Sequence, residues 1–326
     1  MRMLIIICGP TATGKTKLAL RLAKKLAGEI VSADSRQVYK EFDIGTGKDI
    51  PPSAKFTKSN LEYTNGYYNI GSVKLWGYDL ASPNEDFSVS NYKKAAEEII
   101  YNIYSRDKMP IMVGGTGLYI KAITQQLETI NIPKNAKLRK SLDNKSASEL
   151  FEILAVENPI KAASLNSSDK KNPRRLIRAI EVEKSNKVKT NIDNSKIQFD
   201  KVLKIGLTAD KEILHQRIKN RVAKRINNGF EKEFALLTKK YKLDSQAFSS
   251  LGYRQWSEYY KSKISKDEAI KLWTKEEQKY AKRQITWFKK DKEIIWHDIT
   301  NSKFPENVEK LVTEWYTINI NYAEKN

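Results

Sequence analysis

The sequence predicts an α/β fold in which helices flank a parallel sheet. Three patterns near its start indicate this class: a continuous apolar run over residues 3–8, a helical spacing of apolar side chains over residues 17–27, and a second short strand pattern over residues 29–33. An uninterrupted β-branched run is typical of a strand buried on both faces of a parallel sheet. Strand, turn, helix and strand in this order open an α/β sheet with right-handed crossovers.

Later elements continue this pattern. We predict a helix over residues 89–104, a buried strand over residues 110–113 and a further strand over residues 201–207, followed by long charged helices to about residue 290. The turn Gly114-Gly-Thr-Gly117 comes directly after the strand at 110–113. Because open α/β sheets bind ligands at the carboxyl ends of their strands, we expect this turn to lie at a ligand site.

One segment does not follow the α/β alternation. Over residues 126–200, amphipathic helical patterns are separated by three prolines, Pro133, Pro159 and Pro173. Proline interrupts a helix because it lacks an N–H donor and its ring clashes with the preceding turn. We therefore predict a core made of residues 1–125 and 201–326, and an inserted, mainly helical subdomain over residues 126–200.

The charge balance favours a polyanionic partner. The chain has 59 Lys+Arg against 39 Asp+Glu, and residues 131–326 alone hold 42 basic and 26 acidic side chains. Nucleic-acid binding depends mainly on neutralising phosphates, so a basic C-terminal part is consistent with RNA or DNA. A Lys- and Asn-rich composition that merely follows a biased genome is the alternative explanation.

The cysteine count and the apolar runs of the sequence limit where in the cell the protein is expected. The single cysteine, Cys8, excludes an internal disulfide and a Cys-based metal site, and it favours a reducing compartment, which we expect to be the cytoplasm. The longest apolar run, over residues 3–8, is too short to span a bilayer, so we expect no membrane association.

The first turn of the predicted core carries a phosphate-binding motif. Gly9-Pro-Thr-Ala-Thr-Gly-Lys-Thr16 satisfies the phosphate-loop pattern, and it follows a strand and opens a helix, which is the context that supports such a match. Backbone amides and the positive end of the helix dipole would face the phosphate. Lys15 adds a mobile charge, and the Thr16 hydroxyl can hold Mg²⁺, the expected cofactor. The core is therefore predicted to be P-loop NTPase-like, with a phosphate site formed by Gly9, Pro10, Thr11, Ala12, Thr13, Gly14, Lys15 and Thr16.

An acidic residue follows the second predicted strand. Asp34 stands at the carboxyl end of that strand, so we expect it to face the phosphate loop. A carboxylate there could accept a proton or bind a metal. The alternative is that Asp34 only caps a helix, a position that aspartate favours.

Several further motifs follow in a characteristic order. They are Asp34-Ser-Arg-Gln-Val-Tyr39, Asp43-Ile-Gly-Thr46, Gly114-Gly-Thr-Gly-Leu-Tyr119, Asn172-Pro-Arg-Arg-Leu-Ile-Arg-Ala-Ile-Glu181, Ile205-Gly-Leu207, Arg217-Ile-Lys-Asn-Arg-Val222, Leu251-Gly-Tyr-Arg-Gln255 and Ala281-Lys-Arg-Gln-Ile-Thr-Trp-Phe288. With the phosphate loop, this series resembles the tRNA dimethylallyltransferase family over nearly the whole chain. The resemblance implies transfer of a dimethylallyl group from dimethylallyl diphosphate to the N6 amine of the adenosine just 3′ of the anticodon in tRNA.

The resemblance also implies catalytic roles. Asp34 would be the general base, and a carboxylate is ionised at pH 7 without special tuning. The loop amides and Lys15 would stabilise the departing diphosphate together with one or both of Arg217 and Arg221. These two arginines are four residues apart and so share one face of a helix, although a merely solvated face is the alternative.

The implied substrate is an anticodon stem-loop, whose target adenosine must leave its stack before it can react. Bases in RNA loops are recognised by their edges and by stacking on aromatic or arginine planes. Trp287 is nevertheless expected to lie in the core, since tryptophans are highly buried on average. The residues implied to contact tRNA are Asp34, Ser35, Arg36, Gln37, Thr116, Arg174, Arg175, Arg178, Lys282 and Arg283.

The chain departs from the family pattern between residues 48 and 80. The paired histidines usual in the family are missing, and a longer Tyr- and Asn-rich insert predicts two short strands, around Gly66 and Gly71. This insert could be a β-hairpin that contacts tRNA or one that only decorates the surface. The departure leaves the diphosphate site unaffected.

Two other functions remain open at this stage. A small-molecule phosphate-loop enzyme, such as a nucleotide kinase or an AMP prenyltransferase, would explain the loop but not the basic C-terminal part. An inactive RNA-binding protein would explain the charge but would leave Lys15 and Asp34 without a purpose. We therefore favour a monomeric tRNA prenyltransferase that binds dimethylallyl diphosphate.

Overall fold

The computed structural model describes residues 1–125, 127, 129–185 and 197–325, without the side chains of residues 323–325. The chain forms two compact units, one made of residues 1–125 and 197–326 and the other of residues 126–196. The sequence-based limit of the insert was residue 200. The first unit instead resumes at Ile197, because this side chain is fully buried in that unit's core.

The strands of the first unit form one sheet. Among the described residues they are β1 (Met3–Cys8), β2 (Glu29–Ser32), β3 (Lys55–Lys58), β4 (Gly66–Ile70), β5 (Val73–Trp76), β6 (Pro110–Val113), β7 (Lys201–Thr208) and β8 (Ile295–Asp298). Their order across the sheet is β3-β4-β5-β2-β6-β1-β7-β8. Pairing from β5 to β8 is parallel throughout, whereas β3, β4 and β5 pair antiparallel. The predicted parallel α/β core is confirmed.

The helices alternate with and follow these strands. In chain order they are α1 (Lys15–Lys25), α2 (Val89–Tyr104), α3 (Gly117–Thr124), α4 (Ala136–Leu142), α5 (Ala147–Glu157), α6 (Pro159–Ser164), α7 (Ser167–Lys170), α8 (Pro173–Ser185), α9 (Lys211–Asn227), α10 (Phe230–Lys240), α11 (Tyr253–Tyr260), α12 (Lys266–Phe288) and α13 (Glu306–Lys325). In the part of the chain that the structure describes, no helix combines the length and apolar composition needed to cross a bilayer.

The sheet has a hydrophobic core on each face. Every residue of β1 is buried, and its side chains alternate between the two cores, as expected for a strand in the middle of a parallel sheet. Leu4 and Ile6 belong to the core that includes α2 and the aromatic residues of α10 to α12, while Ile5 and Ile7 belong to the core that includes α1 and α13. This burial fixes the strand from which the phosphate loop emerges.

The strand register brings three loops together. Ile7 of β1 and Ser32 of β2 both pair with Val113 of β6, so the three carboxyl ends lie side by side. The phosphate loop, Asp34 and the turn that begins at Gly114 follow these ends. The site expected at this edge of the sheet therefore has its three segments in adjacent positions.

Several elements differ from the sequence-based expectation. Helix α1 begins at Lys15, two residues earlier than predicted, because the phosphate loop runs directly into it. The insert forms three strands, β3 to β5, which extend the sheet edge, where two were expected. Strand β8 and helix α13 were not predicted at all.

The second unit is a small helical body. It contains α4 to α8, and its core is made of small and branched apolar side chains, namely Leu142, Leu150, Leu154, Ala162, Leu176, Ile177 and Ile180. A nearly buried carboxylate, Glu181, accepts hydrogen bonds from Arg139 and Arg178 and from the backbone N–H of Asn135. This unit thus has both an apolar core and a charged anchor of its own.

Candidate active site at the phosphate loop

The phosphate loop is held open by its backbone conformation. Gly9 has φ +130°, and a Cβ there would come within 2.3 Å of the Leu207 carbonyl oxygen, so only glycine fits this position. The Thr13 hydroxyl donates to the Pro10 carbonyl at 2.9 Å and closes the loop. Helix α1 then begins after Gly14, which has no side chain to cap it, so its first N–H groups are available to an anion.

The environment of Lys15 in this loop disfavours its charged form. Its Nζ donates to the Pro10 carbonyl at 2.6 Å. Burial, followed by the positive charge of Arg221, lowers the pKa of Lys15 to about 8, although the Asp34 carboxylate acts in the opposite direction. A bound anion at the loop would raise the pKa of Lys15 again, because its negative charge would pair with the buried ammonium group and offset the charge of Arg221.

The two predicted arginines of α9 have different environments. Arg221 donates to the Thr11 hydroxyl at 2.9 Å, and to the Gly47 carbonyl and the Asp49 carboxylate at 3.0 Å each. Burial and the neighbouring Arg225 lower the pKa of Arg221. Arg217 lines the same cavity but is exposed. Arg221 is therefore built into the loop, whereas Arg217 stands at its rim.

Asp34 lies in the cavity and also orders its own turn. It lines the same space as Lys15 and Thr16. Its Oδ1 accepts the backbone N–H of Arg36 at 2.9 Å and so orders a turn, but none of the described helices begins here, and the helix-cap alternative was therefore wrong. Among the described residues Oδ2 accepts no hydrogen bond. One carboxylate oxygen is thus fixed, and the other is available to a ligand.

The residues after Asp34 are partly engaged within the protein. The Ser35 N–H donates to the Thr116 hydroxyl at 3.0 Å, which joins two of the loops, and Arg36 donates to the Ser249 hydroxyl at 3.1 Å. Gln37 is buried, and its amide donates to the Gly47 carbonyl at 2.9 Å. Ser35, Arg36 and Gln37 all line the cavity, whereas contact with tRNA remains a prediction for each of them.

Sequence reasoning did not assign a role to Gln284, which joins two loops. Its side-chain oxygen accepts the Thr11 N–H at 2.9 Å, and its side-chain nitrogen donates to the Gly115 carbonyl at 2.9 Å. Helix α12 thus holds the phosphate loop against the turn after β6. The only signal in the sequence was that Gln284 belongs to the motif at residues 281–288.

A buried lysine fixes the loop beneath Arg221. The Lys48 side chain is inaccessible to solvent and donates to the Tyr39 carbonyl, Asp43 and Asp79 at 2.8, 2.5 and 2.5 Å. Tyr68, on β4 of the insert, donates to Asp79 at 2.6 Å. The insert therefore supports the loop whose Gly47 carbonyl accepts from Arg221, a role that the sequence did not indicate.

The other predicted contacts fall into two groups. In the second unit Arg178 donates to Glu181 and to the carbonyls of Thr129 and Ile132, and Arg175 pairs with Asp169, while Arg174 is exposed. On α12, Lys282 and Arg283 are exposed, and Arg283 lines the cavity.

The expectation for Trp287 was wrong. Its side chain is 42% exposed, because it lies on the last turn of α12 with one edge against Gly117 and the rest of the ring outside the core.

The donor set in the cavity suits Mg²⁺ bound through a substrate. Among the described residues, no three His, Cys, Asp or Glu side chains lie close enough together to form a metal cage. Mg²⁺ instead commonly keeps several waters and binds through one or two protein oxygens plus substrate phosphates. The Thr16 hydroxyl and the Asp34 carboxylate line one cavity with the phosphate loop and fit that pattern.

The fold and the site together define a class of protein. A cavity of about 860 Å³ is lined by a phosphate loop, a helix N-terminus, lysine and arginine side chains and the Asp34 carboxylate. This is a phosphate-loop α/β protein whose cavity is suited to a diphosphate group. Two family models match the chain, IPP transferase over residues 37–291 and isopentenyl transferase over residues 2–67. The chain belongs to the IPP transferase family.

Individual relatives agree with this family. The tRNA dimethylallyltransferase of Finegoldia magna is 38% identical over 324 residues, which cover 95% of this chain and 97% of the relative. The tRNA dimethylallyltransferase of Carboxydothermus hydrogenoformans is 37% identical over 320 residues, covering 95% and 96%.

Solved structures agree as well. The full-length tRNA isopentenylpyrophosphate transferase of Bacillus halodurans matches with a TM-score of 0.70 and 29% identity, covering 100% of this chain and 99% of that one. A eukaryotic dimethylallyltransferase acting on tRNA matches with a TM-score of 0.75 over 98% and 80% of the two chains, and at 20% identity it supports the fold alone.

Proposed function

We propose that this protein transfers a dimethylallyl group from dimethylallyl diphosphate to the N6 amine of the adenosine 3′ of the anticodon in tRNA, releasing diphosphate. The observation that carries the proposal is one shared cavity, in which the phosphate loop and the Asp34 carboxylate face the same space. Membership of the IPP transferase family and curated relatives named tRNA dimethylallyltransferase support the choice of substrates.

The cations of the cavity act on the leaving group. When the bond between the allylic carbon and the diphosphate oxygen breaks, negative charge grows on the departing oxygens. The N–H groups at the start of α1, together with Lys15 and Arg221, bind that charge, and Arg217 at the rim adds to it. Preorganised donors of this kind stabilise the transition state more than the ground state.

Asp34 acts on the nucleophile. The N6 amine forms the new C–N bond and loses one proton, which the free Oδ2 of Asp34 accepts. The Arg36 N–H bound to Oδ1 holds the carboxylate in a single orientation. Atoms balance, since the allyl group moves to nitrogen, the proton moves to Asp34 and diphosphate departs.

The hydroxyl of Thr16 is the protein group proposed to hold Mg²⁺, with diphosphate oxygens and waters as the other ligands. When bound, the ion would neutralise charge on the leaving diphosphate. We also propose that the protein acts as a monomer on the anticodon stem-loop. Light scattering of the purified protein at working concentration tests that state, and a dimer would contradict it.

The proposal is tested by incubating purified protein and Mg²⁺ with radiolabelled dimethylallyl diphosphate and either total tRNA or AMP. The RNA is then digested to nucleosides. Label on adenosine from tRNA and none on AMP is expected. Label on AMP alone would make this a small-molecule enzyme, and tight, salt-sensitive tRNA binding without any label would make it an inactive RNA-binding protein.

A further inference from the structure

A second cavity lies beside the phosphate-loop cavity. Its volume is about 510 Å³, within the range of ligand pockets. The turn after β6 separates the two, since Gly114 and Gly115 line the first cavity and Gly117 lines the second. Helix α12 passes both, with Gln284 at the first and Trp287 at the second. The two sites are thus about one helical turn apart, roughly 5 Å along α12.

Trp287 is the exposed aromatic wall of this second cavity. A Cβ on Gly117 would come within 2.0 Å of the indole Nε1, so the ring is seated against a glycine that leaves room for it. The remainder of the ring is open, with 42% of the side chain exposed. Apolar side chains form the floor, namely Ile6, Ile120, Phe288 and Ile294. An open, fixed aromatic ring above an apolar floor is suited to a planar ring in the ligand.

The rim of this cavity carries a net positive charge, because its lysines outnumber its carboxylates. Lys204, which is only 7% exposed, donates to Asp291 at 2.8 Å and to Glu293 at 2.6 Å, so this inner lysine pairs with both local carboxylates and offsets one of their two charges. Three exposed lysines remain at the rim, and none of them has a carboxylate partner among the described residues; they are Lys121, Lys290 and Lys292.

We propose that this Trp287 cavity binds an unstacked nucleotide of the RNA substrate next to the nucleotide that enters the phosphate-loop cavity. The inference rests on the proposed function for the identity of the RNA. The indole stacks on the base, and the rim lysines neutralise neighbouring phosphates. Flipping one base out of a loop unstacks its neighbours, so a nearby aromatic platform lowers the cost of that step.

The charge pattern favours RNA over an apolar occupant. An apolar surface that covered Trp287 would also cover three lysines and remove their water without supplying partners. A phosphate backbone supplies partners for them and releases counterions. The cavity therefore matches a ligand that carries both an aromatic ring and negative charge, as a nucleotide does.

The first test compares Trp287→Ala with Tyr101→Ala, a control on α2 whose side chain is 41% exposed. Binding of an anticodon stem-loop RNA is measured by fluorescence anisotropy, and binding of labelled dimethylallyl diphosphate by equilibrium dialysis. Trp287→Ala should weaken RNA binding about 10- to 100-fold, as expected for loss of one stacked base. Donor binding should be unchanged, Trp287→Phe should restore most of the RNA affinity, and Tyr101→Ala should match the wild type.

The second test measures the salt dependence of RNA binding. The double variant Lys290→Gln/Lys292→Gln should reduce the slope of log Kd against log salt by about 0.7 for each phosphate that a lysine no longer neutralises. Lys24→Gln/Lys25→Gln on α1, a control with two exposed lysines, should keep the wild-type slope.

Two results would overturn the inference. The first is Trp287→Ala binding RNA as the wild type does, and the second is Trp287→Ala losing affinity for labelled dimethylallyl diphosphate to the same extent as for RNA, since that would make the ring part of the packing that shapes the whole site. Failure of the transfer reaction itself is distinguishable. If the wild type binds RNA but labels none, and Trp287→Ala still loses RNA affinity, the nucleotide site stands and the proposed function fails.

Discussion

Two arginine-rich helices of this protein use their charges in opposite ways. On α9, Arg221 reaches the phosphate loop, and Arg217 stands exposed at the rim of the same cavity. On α8, Arg178 turns to Glu181 and to two backbone carbonyls of its own unit. A basic motif in the sequence therefore shows how much positive charge is present, while the partners of each side chain decide how much of that charge can reach a substrate.

The two helices differ because Arg178 lies beside a buried carboxylate, Glu181. Burial acts to raise the pKa of Glu181, but hydrogen bonds from Arg139, the Asn135 N–H and Arg178 outweigh burial and lower the pKa to about 2. A buried carboxylate is stable only with such partners, so Glu181 forms ion pairs with the arginines around it. In the phosphate-loop cavity, by contrast, positively charged side chains lie close to one another. Burial and the charge of Arg221 lower the pKa of Lys15 to about 8.

The largest expected effect is the loss of a cavity cation. Lys15→Met should reduce kcat/KM for dimethylallyl transfer about 10³-fold, because a donor aimed at the leaving diphosphate is removed. Lys24→Met, which changes an exposed lysine at the other end of the same helix, is the matched control and should retain wild-type activity. A loss of less than tenfold for Lys15→Met would remove it from the catalytic machinery.

The next effect separates the two arginines of α9. Arg221→Gln should lower kcat/KM about 10- to 100-fold, since it removes a charge and also breaks the link between Thr11 and the Gly47 carbonyl. Arg217→Gln should cost less, because Arg217 is exposed at the rim. Steady-state kinetics with varied dimethylallyl diphosphate measures both, and the reverse order would show that the rim arginine carries the diphosphate.

A smaller effect is expected in the second unit. Arg178→Gln should lower the free energy of unfolding by about 1–3 kcal/mol, because Glu181 and two carbonyls lose a charged donor. Arg174→Gln changes an exposed residue of the same helix and should stay within about 0.5 kcal/mol of the wild type. Urea denaturation followed by circular dichroism measures both variants. Equal stabilities would mean that Arg178 is free for RNA after all.

The smallest effect is a pH dependence of stability. The folded-state pKa of Glu181 lies below its ordinary value of 4.5, so its contribution is fully present above pH 4.5 and is lost as the pH falls toward 2. Glu181→Gln should therefore flatten the fall in melting temperature between pH 4.5 and 2. Glu152→Gln, a change to an exposed carboxylate of the same unit, should alter that fall much less. An unchanged profile for Glu181→Gln would contradict the assignment.

Local patterns in the sequence predicted the central strands and the phosphate loop. Met3–Cys8 is apolar throughout and is followed at once by the loop and α1, so the pattern that identifies this strand, loop and helix lies within one short stretch of sequence. The link between Gln284 and Thr11 joins residues 273 positions apart, and no periodicity encodes it. Lys48 and Tyr68 meet on Asp79 only after the insert has folded onto the sheet edge.

Two further errors of the sequence-based prediction arise because it relies on the average behaviour of residue types. Trp287 was placed in the core because most tryptophans are buried, but the end of a long helix can hold a ring against one glycine and leave its other side open. Strand β8 is only four residues long and its residues are partly exposed, so it lacks the apolar run that identified β1. Edge strands of this kind are set by the pairing with β7 rather than by their own pattern.

A single-turnover reaction with Asp34→Asn tests whether Asp34 is the base that accepts the N6 proton. Asparagine keeps an oxygen for the Arg36 N–H, so the turn is preserved while the proton acceptor is lost. The variant should bind tRNA and labelled dimethylallyl diphosphate within about twofold of the wild type, and should transfer label about 10²- to 10⁴-fold more slowly. Transfer at the wild-type rate would show that Asp34 is not the base and would contradict the mechanism proposed for this cavity.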